Sequence, residues 1–482
     1  MPDLRPVLFV VGLMLAGLGG TMFVPMLVDY LYGGESWQAF GVSGFVTALF
    51  GSIMALTSYS PKARLRARGA FLLTTLSWIA LAGFAAVPLF MADIGLNLTD
   101  SLFEAVSGIT TTGSTVMTGL DDTDKGILLW RAILQWIGGV GIIVTAMAIL
   151  PMLKIGGMQL FRMESSEMGE KILPKTGQLA AAIGGIYLVL TILCAVGYIM
   201  TGMGGFDAVA HAMTTLATGG FSTSDASLGG FMDNGADLVA VAFMLAGAIP
   251  FGVYLLAARG SFKPAWSDPQ MRGFLLVIVL LIMLVTFYLW VSDVYLGKEA
   301  LRLSAFNVIS VVTGTGYATA DYNAWGPFAV SAFFAFMFIG GCAGSTACSI
   351  KIFRYQVAFE ALRAYVFKMP RRHAVSSMRY GGKPLPNSVV YSVFGFFFLF
   401  FTCFAAGAIL LSIIGLDPIT AWSGAASAVA NVGPGLGDII GPAGTYQSLP
   451  STAKWVLMGG MLIGRLEIIT ALVLLTPSFW RA

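Results

Sequence analysis

The sequence predicts an all-α integral membrane protein: four pseudo-symmetric membrane-pore-membrane repeats around one ion pore, preceded by two extra transmembrane helices. Three observations carry this reading: an apolar composition, ten apolar blocks of spanning length, and a glycine motif that occurs four times at nearly even spacing. Of 482 residues, 57% are hydrophobic and 11% are charged, a balance that a water-soluble domain of this size could not keep off its surface.

Blocks long enough to cross ~30 Å of hydrocarbon at ~1.5 Å per residue begin near Pro6, Trp37, Gly69, Ile127, Gln178, Asp237, Arg272, Pro327, Ser388 and Lys454. The first runs on past Gly20 into "TMFVPMLV" without a small-residue cleavage site, so it reads as a retained helix rather than a signal peptide. The expected organisation follows. Residues 1–68 hold the two leading helices, 69–155 a repeat with its loop at Gly113, and 156–177 a cytoplasmic linker. Residues 178–262 hold a second repeat with Gly220, 263–370 a third with Gly316 and a broken helix near 340–349, and 371–482 a fourth with Gly433.

Alternating the spans from a cytoplasmic N-terminus places most of the 27 Lys and Arg on the inner side and most of the 24 Asp and Glu on the outer side. By the positive-inside rule both termini are then cytoplasmic, with "PKARLRAR" and "KMPRRHAVSSMRYGGK" in inner loops. Such loops anchor topology, with lipid or partner binding as the second reading. Cys194, Cys342, Cys348 and Cys403 form no CxxC pair, and His211 and His373 lie far apart, so neither a disulfide framework nor a metal centre is expected. His211 reads as structural. No nucleophile paired with a base appears, which argues against an enzyme, and nothing points to a nucleic-acid partner. "GGCAGSTACSIK" lacks the Gly-Lys step of a phosphate loop, and "GPGLGD" follows no strand, so no nucleotide or other cofactor is expected in this chain.

The repeated motif reads "SGITTTG" to Gly113, "TTLATGG" to Gly220, "SVVTGTG" to Gly316 and "SAVANVG" to Gly433. Six residues before each glycine stand Ser107, Thr214, Ser310 and Ser427, and two residues further on Ile109, Leu216, Val312 and Val429. Asp225, Asp321 and Asp438 follow three of the glycines at the same distance, whereas the first copy has its acids later, at Asp121, Asp122 and Asp124. Each copy lies in an outer connection between two spans, which reads as a half-length helix followed by an irregular strand. Irregular backbone survives at membrane depth only when protein buries it or when it lines a wet cavity. Four such loops in like orientation satisfy that condition around one axis, and so predict a pore. Thr-Gly turns can aim carbonyl oxygens at the axis, where they replace the hydration shell of a monovalent cation. The negative ends of the short helices add to the attraction. Small residues in membrane helices more often serve close packing; four aligned copies on one side argue against packing alone.

Together the four motifs resemble the Trk/Ktr/HKT superfamily of potassium transporters, and the resemblance spans nearly the whole chain. Two leading spans and the linker "GGMQLFRMESSE" make it most similar to the bacterial TrkH/TrkG type. The resemblance implies potassium uptake across the bacterial inner (cytoplasmic) membrane, with potassium as substrate. Potassium would be bound by the backbone of Thr111, Thr112 and Gly113; Thr218, Gly219 and Gly220; Gly314, Thr315 and Gly316; and Asn431, Val432 and Gly433. It further implies a homodimer with a cytoplasmic ring of TrkA type, through which NAD, ATP or ADP would act. Glycine in all four copies favours potassium over the sodium-preferring members. The alternative is a symporter that couples potassium to a proton or sodium gradient.

Two features suggest a gate. Gly340, Gly341, Gly344 and Ser345 interrupt the eighth span, where the resembling proteins have a broken helix across the pore. Arg465 lies near the centre of the last span, and a charge at that depth normally faces a cavity or a partner. An arginine facing the pore would oppose cations until the gate rearranges; a structural ion pair with another span is the other reading.

Overall fold

A computed structural model describes residues 3–60, 67–149, 176–261, 267–370 and 377–481. His373 and nearly all of the expected 156–177 linker lie outside the described residues, as does most of "PKARLRAR". Among the described residues the regular structure is helical apart from two pairs of two-residue strands. Among the described residues, seven helices are long and apolar enough to cross a membrane, and an eighth candidate is a pair, Ala236–Ala248 and Phe251–Ala257, bent by 93°. The bend follows from "AIPF": Ile249 is extended at φ −83° and ψ 148°, as the residue before a proline is forced to be, and Pro250 starts the second helix.

Two of the ten expected blocks form shorter helices. The one near Pro327 is helical only over Pro327–Phe336, and the chain turns helical again at Ile352–Lys368. Between them the backbone is irregular, apart from a two-residue parallel pairing of Ile339–Gly340 with Ile350–Lys351. The last block is helical over Ser451–Arg465 and then breaks, with positive φ at Glu467 and Ile468, before Ile469–Leu474. Arg465 therefore ends a helix rather than sitting at the centre of one. Hydropathy reads only the apolar content of such blocks and is blind to these breaks.

The two leading helices, Arg5–Thr21 and Trp37–Ser58, pack through glycine. A Cβ at Gly12 or Gly51 would stand 2.7 Å from the carbonyl of the other, and one at Gly19 equally close to that of Gly44. Small residues let the two backbones touch, which is how helices associate without a hydrophobic driving force. Four further helices are short and lie mostly inside the bundle: Leu98–Ile109, Gly205–Leu216, Gly297–Thr313 and Pro418–Ala430. Asn97 caps the first by accepting from Asp100 N at 3.0 Å, and Asp417 caps the fourth through Thr420 N at 3.0 Å.

Candidate functional site

The four glycine motifs fall at the C-terminal ends of these short helices and share one backbone geometry. In each, the amide just before the key glycine donates to the carbonyl six residues before that glycine: Thr112 to Ser107 and Gly219 to Thr214 at 2.9 Å, Thr315 to Ser310 at 2.8 Å, and Val432 to Ser427 at 3.1 Å. Two residues before the glycine, Thr111, Thr218, Gly314 and Asn431 are left-handed, at φ 52°, 49°, 74° and 53°. The glycines themselves are again at positive φ, 86° at Gly113, 78° at Gly220, 79° at Gly316 and 110° at Gly433. Two β-branched threonines held left-handed mark backbone that its surroundings over-determine. The aliphatic residues Ile109, Leu216, Val312 and Val429 are all buried and anchor the helix ends.

The turns close on one another in sequence. A Cβ at Gly113 would collide with the carbonyl oxygen of Gly219, one at Gly220 with that of Thr315, and one at Gly316 with that of Val432. At Gly433 it would stand 2.7 Å from the oxygen of Thr112, which completes the circle. Thr112, Thr315 and Val432 are fully buried. Among the described residues no donor is directed at their carbonyls. Buried acceptors without donors are rare and costly, and a ring of them suits a cation. The quarters are unequal. Gly219 O accepts from Gln135 Nε2 at 2.6 Å. Gly433 O accepts from Ser114 Oγ at 2.7 Å, Ser427 Oγ at 2.8 Å and Tyr446 Oη at 2.9 Å.

Sequence reading passed over the residues that hold this ring. Glu104 and Arg131 form a fully buried pair at 2.7 Å. Glu104 also accepts from Thr115 Oγ1 and Val116 N, while Arg131 reaches Ser222 O at 2.9 Å, tying the first turn to the second. Arg302 joins Asp237 at 2.6 Å, and Lys454 joins Asp100 at 2.6 Å. Asn323 Oδ1 accepts from Gly437 N at 3.1 Å, linking the third and fourth. Asp225, one of the three recurring acids, receives Gly119 N at 2.9 Å and Leu120 N at 3.2 Å, so it too braces a neighbouring loop. The available signal was polarity inside apolar blocks, at Arg131 and Gln135 in "LWRAILQW" and Glu104 in "SLFEAV". His211 bonds Asp207 O at 2.8 Å and Ser222 Oγ at 2.9 Å, a brace within the second quarter.

The irregular segment around Gly340, Gly341, Gly344 and Ser345 runs against the ends of all four short helices. Thr346 Oγ1 donates to Leu216 O at 3.0 Å and to Gly247 O at 2.9 Å. Cys348 N donates to Thr313 O at 3.4 Å and Ser349 N to Ala430 O at 2.9 Å, while Cys348 Sγ lies 3.6 Å from Thr111 Oγ1. These donors meet carbonyls that helix ends leave unpaired. Within the segment, Ser345 Oγ donates to Cys342 O at 2.6 Å, and Gly344 O accepts from Phe251 N at 2.8 Å, which ties the segment to the bent pair. Arg465 reaches the same place: Nη1 lies 2.8 Å from Cys348 Sγ, and Nη2 donates to Gly138 O at 3.2 Å. Its neighbour Glu467 pairs instead with Arg354, at the start of the helix after the segment.

Apolar helices of spanning length enclosing a buried ring of carbonyls define a multi-pass membrane protein with a polar centre. The chain belongs to the TrkH family of cation transport proteins, whose profile matches residues 36–481; it is a transport protein and not an enzyme. It is 46% identical to the Trk system potassium uptake protein TrkI of Halomonas elongata, over 99% of this chain and 97% of that one. It is 36% identical to the Trk system potassium uptake protein TrkH of Escherichia coli, over 99% of each. The crystal structure of the potassium transporter TrkH from Vibrio parahaemolyticus superimposes with a TM-score of 0.91 at 37% identity, covering 99% of both chains.

Proposed function

We propose that this chain carries potassium into the cell across the bacterial inner membrane, through a selectivity filter made by its four glycine turns. The backbone of Thr111, Thr112 and Gly113, of Thr218, Gly219 and Gly220, of Gly314, Thr315 and Gly316, and of Asn431, Val432 and Gly433 would strip water from the ion. The carrying observation is the closure of the turns on one another with donor-free, buried carbonyls at Thr112, Thr315 and Val432. Relatives named as potassium uptake proteins over their full length support the choice of ion. In this reading the bent and broken helices count as spans, so that ten spans and four pore-loop repeats make up the chain, with both termini in the cytoplasm.

The segment of Gly340, Gly341, Gly344 and Ser345, with Arg465, acts as the gate, because it stands against the helix ends on the way out of the filter. Nucleotide control would come from a TrkA-type ring docked on the cytoplasmic face of a homodimer. The test is ion competition in liposomes holding the purified chain. Potassium and rubidium should outrank sodium. Gly113→Ser and Gly316→Ser, whose added Cβ collides with the next carbonyl, should erode that ranking. A ranking untouched by both changes would move the selective site elsewhere.

A further inference from the structure

We propose that Gln135 is a specificity-determining residue, which holds the second turn of the filter by both ends of its carboxamide; the inference rests on the filter reading above. Gln135 is fully buried on the Lys125–Val144 helix of the first repeat, yet its side chain serves the second. Its Nε2 donates to Gly219 O at 2.6 Å and its Oε1 accepts from Phe221 N at 3.0 Å, so one side chain bridges the residues on either side of Gly220. The contact is tight: a Cβ at Gly219 would collide with the carboxamide. Among the described residues, the equivalent oxygens of Thr112, Thr315 and Val432 receive no side-chain donor.

Two consequences follow. An N–H that shares a carbonyl's lone pairs weakens that carbonyl as an ion ligand, so at this level of the filter Gly219 O contributes a smaller field than the oxygens of Thr112, Thr315 and Val432. The same bridge fixes the planes of two successive peptides and stops the turn from closing in on an ion smaller than potassium. Gln135 thus acts on the ion through the Gly219 backbone and is a positioning residue.

The test uses the full chain in liposomes, with potassium, rubidium and sodium as probes. Gln135→Met removes both hydrogen bonds at nearly equal length. Gln135→Glu keeps the size and the acceptor for Phe221 N–H, and serves if the Met variant does not fold. The preference for potassium over sodium should fall by about fivefold, the equivalent of one net hydrogen bond, and the half-saturating potassium concentration should shift. Trp136→Phe, which alters the adjacent residue bonded away from the turns to Thr191, should leave the preference unchanged. A folded Gln135 variant with the parent's preference overturns the inference if Gly113→Ser still erodes it. If neither change affects the preference, the filter reading itself fails.

Discussion

Arg465 is buried among neutral acceptors: the sulfur of Cys348, the carbonyl of Gly138 and the face of Trp78 surround it, and its Nε has no partner among the described residues. A guanidinium held this way costs stability, a cost that the proposed role as a gate would explain. A like charge beside its path opposes a cation, by up to about 4 kcal/mol at ~4 Å and an effective dielectric of ~20. Arg465→Ala should therefore raise potassium flux in vesicles by roughly tenfold or more, and Arg465→Lys far less; flux at or below the parent's would count against the gate. Arg131 differs, because its charge is matched by Glu104. Removing one partner of such a pair leaves the other uncompensated, at about 3–5 kcal/mol. Arg131→Leu should accordingly lower the thermal midpoint in detergent, and an unchanged midpoint would show that the pair is dispensable. Arg465 and Arg131 are equally visible in the sequence as charges within apolar blocks. What hydropathy hides is the partner: Glu104 and Arg131 meet across two helices, and Asp100 meets Lys454 from the far end of the chain.

At the scale of elements, the segment between Phe336 and Ile352 buries Met337, Cys342, Ala347 and Ile350 in the core, and backbone and hydroxyl donors tie it to the ends of the short helices. Thr346 alone supplies two of the bonds. Thr346→Ala should loosen it and raise flux by roughly fivefold while leaving the order of potassium and sodium intact. A change in that order, or no rise, would mean that the segment does something other than obstruct. The four short helices were readable because the turns that end them need glycine at positive φ, and glycine in four aligned copies leaves a written trace. The left-handed Thr111 and Thr218 leave none, since surrounding contacts rather than their own preference hold them there, whereas Asn431 is of a type that tolerates this region. The 93° bend at Pro250 had a local cue in the proline, whereas the break after Arg465 falls in "RLEIIT", where no residue favours it.

Across the whole molecule, charge sets the orientation proposed for the chain. Reporter fusions at both ends should show cytoplasmic activity, while one inserted at Asp225 should show external activity; the reverse pattern would invert the pore. Composition made the membrane location and helical class legible, but not the circuit that joins the quarters. That circuit closes between distant parts of the chain: Gly433 meets Thr112, Tyr446 N donates to Thr115 O at 2.9 Å, and Lys454 reaches Asp100. A nascent polypeptide can insert its early helices one by one, yet its opening quarter stays an unfinished arc until the ribosome releases the closing one. Any fragment that stops short of the final hairpin would leave polar backbone facing lipid, and quality-control proteases would be its natural fate.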